Sequence, residues 1–156
     1  MKHTLPLHVV EFYQSLVERS GDRNASVRWQ ACGASDALGI DYQWAYDDPH
    51  PRVRARAVQA DIWRVRYRNE REATNTYLRS RIEKAKADPS IVVRVEVLKF
   101  CFSTNQSCAW IDQCEDAEQL RAAIRTWEAN RWGDYTKLLP PDEYELPPHP
   151  DSGDTW

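Results

Sequence analysis

The stretch Asp48-Pro49-His50-Pro51-Arg52-Val53-Arg54-Ala55-Arg56-Ala57 is written again forty residues on, as Asp88-Pro89-Ser90-Ile91-Val92-Val93-Arg94-Val95-Glu96-Val97. Both copies read Asp-Pro, three residues, Val-Arg, two residues, then a small or branched apolar residue. A weaker copy stands earlier, Asp22-Arg23-Asn24-Ala25-Ser26-Val27-Arg28-Trp29-Gln30-Ala31, with Arg in place of Pro. A unit that recurs in this way cannot bury its apolar face alone and needs a like neighbour to cover it, so the chain is constrained to stack. Each copy carries the marks of a helix start. Asp48 and Asp88 are expected to cap by accepting first-turn N–H groups, where acidic charge also suits the dipole. Pro49 and Pro89 cannot extend a preceding helix. Val53 and Ala57, like Val93 and Val97, lie four apart on one helical face.

A strand competes for two segments. Val93-Arg94-Val95-Glu96-Val97 and Arg64-Val65-Arg66-Tyr67-Arg68 alternate strictly, a period that β-branched residues favour in sheets. The recurrence and the paired caps outweigh it, and both are expected to be helical.

In its turn-to-helix signature the chain resembles the HEAT and armadillo-like α-helical repeats. That resemblance implies that the Arg of each Val-Arg pair bonds to acidic or carbonyl groups at neighbouring turns, making Arg28, Arg54 and Arg94 structural. The family period is about 40–47 residues, which the second interval meets and the first, at 26, does not. The aromatic segment Ile40-Asp41-Tyr42-Gln43-Trp44-Ala45-Tyr46-Asp47 is expected to form a single helical turn where a full repeat has a helix.

Apolar spacing places a first helix on Leu5, Val9, Phe12 and Leu16, with Thr4 as cap and Gly21 as stop. A second runs from about Ala25 to Leu38 and ends at Gly39. The third runs from about Pro51 to Tyr67 or Asn69 and shows two apolar stripes: Ala55, Val58, Ile62 and Val65, and Val53, Ala57 and Ala60. Two stripes imply neighbours on both sides. Between them lie two polar strips. One, Arg54, Asp61 and Arg68, is balanced in charge. The other holds Arg52, Arg56, Gln59, Trp63, Arg66 and Tyr67, with no acid before Glu70. A fourth helix, about Arg71 to Lys86, packs through Leu78, Ile82 and Ala85 and offers an Arg79–Glu83 pair. A fifth covers Ser90 to Phe102. The last begins at Asp116 as cap with Gln119 three on, carries Leu120, Ala123, Ile124 and Trp127 on one face, and stops at Gly133. Five prolines and a run of acids after Leu139 argue against regular structure there. The fold expected is all-α: a short HEAT-like helical-repeat solenoid over residues 1–138 with a flexible, acidic, Pro-rich C-terminal tail over 139–156.

The net charge of −3 conceals an uneven distribution. From Arg52 to Arg94, twelve Lys and Arg oppose five acids; from Trp110 onward, eleven acids oppose four bases. Such a split favours self-docking or an asymmetric partner surface, and the tail is expected either to lie across the Arg-rich strip or to serve as a disordered solubility tail. Arg outnumbers Lys sixteen to five, which favours planar and aromatic-stacked contacts. No apolar run approaches the ~18 residues of a membrane span. The start, Met-Lys-His-Thr-Leu-Pro-Leu-His, lacks a signal-peptide pattern. Cys32, Cys101, Cys108 and Cys114 form no C-x-x-C pair and read as free thiols in a reducing cytoplasm.

No nucleophile elbow, phosphate-binding loop, dinucleotide fingerprint or H-E-x-x-H helix occurs, and the four histidines are scattered. No catalytic residue, metal ligand or cofactor is assigned. The strip of Arg52, Arg56, Gln59, Trp63, Arg66 and Tyr67 is the candidate binding surface, since Trp, Tyr and Arg dominate interfaces. A solvated face beside aromatic core residues is the plain alternative for it. The function expected is stoichiometric binding of another protein without catalysis, as an inhibitor, an immunity or anti-defence protein, or an assembly adaptor. Two alternatives stand beside it. Nucleic acid could bind the same Arg/Trp strip, although a pI of about 5.8 argues against it. The resemblance also takes in DNA base-excision enzymes, which use Trp, Arg and Asp in a concave cleft. No membrane partner is expected.

Overall fold

Three helices start from turns with the same hydrogen bonds. The computed structural model describes residues 4–67, 72–130 and 135–151. In each turn the Asp carboxylate accepts the N–H two residues on: Asp22 from Asn24 (2.8 Å), Asp48 from His50 (2.8 Å) and Asp88 from Ser90 (2.9 Å). That second residue makes the cap. Asn24 Oδ1 accepts from the Ser26 and Val27 N–H groups, His50 Nδ1 from Arg52, and Ser90 Oγ from Val92. Asp48 and Asp88 therefore do not cap directly, contrary to expectation. Each is followed by a proline without an N–H, so the first donor within reach is the cap residue's own, and the Asp closes a turn ahead of it.

The Val-Arg pairs recur as well. Arg28 donates to the Asp22 and Arg23 carbonyls (3.0 and 2.9 Å), Arg54 to those of Asp48 and Pro49 (2.8 and 3.3 Å), and Arg94 to those of Asp88 and Pro89 (2.8 and 3.4 Å). Arg28 and Arg94 also reach forward. Arg28 grips the Asp48 carboxylate at 2.7 and 3.0 Å, and Arg94 grips both oxygens of Asp116. All three arginines are structural. Val27, Val53 and Val93 beside them are buried.

The elements are α1 (Leu7–Val17), α2 (Ala25–Leu38), a 3-10 turn (Gln43–Asp47), α3 (Pro51–Tyr67), α4 (Glu72–Ala85), α5 (Ile91–Ser103), a second 3-10 turn (Ala109–Gln113), α6 (Ala117–Asn130), a third (Tyr135–Leu138) and a short α7 (Pro141–Tyr144). No strand occurs among the described residues, and no helix there is long and apolar enough to cross a membrane. The alternating segment of α5 is helical because Ile91, Val92, Val93, Arg94, Val95, Val97, Leu98, Phe100 and Cys101 are all buried. A helix covered on every side shows no amphipathic stripe. The Tyr67 side chain, Arg68 and Gly133 lie outside the described residues.

The chain forms two compact units, Met1–Ala57 with Leu146–Trp156, and Val58–Glu145, with α3 contributing to both. In the first, α1 packs on α2 through half-buried residues and buries none completely. It starts after Pro6 rather than from Thr4, and it ends at Val17, ahead of Gly21. Pro6, with φ held at −56°, suits the entry to a helix and cannot lie inside one. Gly39 closes α2 as expected, at φ 70°, a conformation that costs glycine little. The aromatic segment after it is the 3-10 turn, with Tyr42 and Ala45 buried.

In the second unit, α4, α5 and α6 pack in sequence around Leu78, Ile82, Leu98, Leu120 and Ala123. Asp61, expected on a charge-balanced polar strip, is 0% exposed and bonded by Arg81 at 2.6 and 2.8 Å. Burial of that carboxylate is tolerated because a guanidinium comes with it. The Arg79–Glu83 pair does not form; Glu83 takes Lys86 instead, at 2.7 Å.

The segment after Leu139 is more regular than its prolines foretell. Leu139 is buried, and Pro141 opens the helical turn α7, where its missing N–H costs nothing. Further on, the carbonyl of Pro147 accepts from Ser26 Oγ and that of Pro148 from Asn24 Nδ2 (2.9 Å), while Asp151 pairs with Arg19 at 3.2 Å. Pro147, Pro148 and Asp151 are thus held within the first unit, at the start of α2 and at Arg19.

Candidate functional site

The strip expected from sequence is carried on α3, but its members fall into different units. Arg52 and Arg56 belong to the first. Both guanidinium groups are half-buried and lie over the Trp29 ring of α2, 5.9 and 5.7 Å from its centre. Gly33, one turn further along α2, makes room for this. A Cβ there would stand 3.0 Å from Arg56 Nη2. Two cations on one indole form a clasp between α2 and the start of α3, each contact contributing on the order of 0.5–2 kcal/mol. Trp29 was not singled out from sequence; it follows immediately on the first Val-Arg pair, and that position was its only signal.

Gln59, Trp63 and Arg66 belong to the second unit. Gln59 is half-buried. Trp63 is 53% exposed, and Arg66, one turn on, is exposed and donates to Ser103 Oγ at 3.1 Å. That bond ties the end of α3 to the end of α5, where Phe102 is 39% exposed. Phe102 is held edge-on to Trp127, with ring centres 6.3 Å apart at 85°. Trp63 and Arg66 thus stand one turn apart on α3, and Arg66 is bonded to the residue next to the part-exposed Phe102 of α5; these three are taken together as the Trp63 patch. Phe102 and Trp127 were expected only as parts of helices.

Beneath this end of α5, Lys99 bonds Glu96 (3.0 Å) and Tyr135 Oη (2.9 Å) and lies over the rings of Trp127 and Tyr135. Burial pulls the Lys99 pKa down, but Glu96 and Tyr135 more than offset it, so the net direction is upward. Burial, followed by the Glu96 charge, raises that of Tyr135. Neither group is poised to take up a proton at neutral pH, and the cluster serves as a clamp. Burial likewise raises the Cys101 and Cys108 thiols, and none of the four cysteines is paired in a disulfide. Among the described residues no group of His, Cys, Asp and Glu is placed to hold a metal ion.

No protein-family model, curated protein or solved structure matches this chain. Its function has to be argued from its own surfaces. Besides the Trp63 patch, the second unit carries a groove beside Trp110 that the sequence did not announce. Its lining is drawn from three separate segments that only folding brings together.

Proposed function

We propose that this chain is a non-catalytic binding protein, a short HEAT-like helical-repeat solenoid that takes another protein as a stoichiometric partner. It would act as an inhibitor, an immunity or anti-defence protein, or an assembly adaptor. The observation that carries the reading is the patch of Trp63, Arg66 and Phe102, where aromatic surface stands open around an arginine already fixed by Ser103. Trp and Arg are the residues that most often dominate protein interfaces, and a preorganised arginine loses little entropy on binding. The solenoid reading is supported by the three junctions with equivalent bonds, and a cytoplasmic setting by the four free thiols. The arginine–aspartate pairs Arg28–Asp48, Arg81–Asp61 and Arg94–Asp116 are read as structural.

Nucleic acid is the second reading, and Arg56 favours it. Its guanidinium is stacked on Trp29 and has no carboxylate partner among the described residues. One experiment separates the two. The tagged chain and a Trp63→Ala/Phe102→Ala variant are used to capture partners from the source cells, with and without nuclease. Trp63 is more than half exposed, but Phe102→Ala also gives up its edge contact with Trp127, so the double variant should cost about 1–3 kcal/mol and its helicity is checked by circular dichroism. A defined protein that survives nuclease and is lost with the variant is the expected result. Capture that disappears with nuclease and weakens steeply with salt assigns the partner to nucleic acid. Undiminished capture by the variant overturns the patch.

A further inference from the structure

The groove in the second unit encloses about 900 Å3 between the end of α4, the Asp88-Pro89 turn and the segment from Trp110 to the first turn of α6. It shares no residue with the Trp63 patch. Five acids line it against three bases. Trp110 Nε1 is buried, with no oxygen or nitrogen partner among the described residues, and it lies beside the Cys101 thiol. The indole therefore points its N–H inward and leaves its carbon surface for the groove. A cation already occupies that surface: Lys86 Nζ lies 5.8 Å from the ring centre.

The charges around it are unequally satisfied. Lys86 pairs with Glu83, Arg94 with Asp116, and Glu118 with Arg121. Glu115 is exposed and takes no cation among the described residues. An indole face and an unpaired carboxylate in one groove attract a flat cation, and a guanidinium stacks on an indole with less loss of hydration than an ammonium. Lys86 thus holds the position as a cation that a better one can displace.

We propose that this groove receives an arginine side chain from a partner polypeptide, which stacks on Trp110 in place of Lys86 and pairs with Glu115. The inference goes beyond the Trp63 patch and does not depend on it.

The test uses the full chain labelled with nitrogen-15 and a Gly-Arg repeat peptide as probe. The Trp110 indole signal, assigned by its loss in Trp110→Phe, is followed through the titration. The expected result is a saturable shift of that signal, with affinity reduced about two- to fivefold in Glu115→Gln. Lys86→Ala should tighten binding on the order of fivefold, because it removes the competing cation. Trp63→Ala should leave the titration unchanged, so failure of the patch and failure of the groove are told apart. The proposal is overturned by an equal shift with a Gly-Glu peptide, by affinity that is unchanged or weaker in Lys86→Ala, or by a shift produced by raising the protein concentration alone. The last outcome would assign the groove to a second copy of the chain.

Discussion

Arg94 shows how one residue joins three segments. It is 7% exposed, donates to two carbonyls of the turn before its own helix, and grips the Asp116 carboxylate ahead of α6. Removing it leaves those acceptors and a carboxylate in a partly dry setting, so Arg94→Met should cost about 3 kcal/mol or more in urea unfolding. Its hydrogen bond, followed by its charge, holds the Asp116 carboxyl below the usual aspartate range. A depressed folded pKa stabilises the fold fully above the unfolded value of about 4, and the effect is lost as pH falls through the folded value. The stability gap between the native chain and Asp116→Asn should therefore be level near neutral pH and close below about pH 4. A gap undiminished in acid would show that the bond acts through something other than charge. The Arg in each Val-Arg pair could be read as structural from sequence; its carboxylate partner, twenty or more residues away, could not.

At the scale of elements, the repeated junction is the unit of construction. Val53 is wholly buried at the second of them, one residue before an arginine anchored to the turn. Val53→Asp should cost more than about 4 kcal/mol, because it places a charge in a wholly buried apolar site. Circular dichroism against urea measures this, and a loss under about 1 kcal/mol would mean that the helix start is not packed as described. Element type and order were legible because Asp, Pro and Val at fixed offsets are local signals. The caps were legible only to within two residues. Asp-Pro and the residue after it are all good turn formers, and which one reaches the helix depends on backbone geometry. Strand-like alternation in α5 did not displace the expectation of a helix, because the recurrence and the turn before it outweighed the local pattern. A helix buried all round is free of the 3.6-residue pattern, so local spacing says little about it.

At the scale of the molecule, the C-terminal segment returns to the first unit and is fastened at Asn24, Ser26 and Arg19. Composition had offered two other roles, a cover over the Arg-rich strip or a loose solubility tail. Truncation after Glu145 removes two hydrogen bonds to α2 and one exposed ion pair, and should lower stability by about 1–3 kcal/mol. Binding of the partner at the Trp63 patch should not change. Tighter binding after truncation would restore the covering role, and an unchanged melting temperature would show that the fastening contributes nothing.

From sequence alone came the helical class, the three junctions with their structural arginines, the single turn within residues 40–47 and the residues most worth testing on α3. All of these rest on interactions within a few residues, where type and spacing suffice. The pairing of Asp61 with Arg81, the clasp of Arg52 and Arg56 on Trp29, the place of the tail and the groove at Trp110 were decided by tertiary structure. Charge and aromatic surface have no periodicity that marks their partners. A guanidinium binds whichever carboxylate or ring the packing of helices brings within reach, and that packing is set by the buried apolar faces, not by the charges themselves.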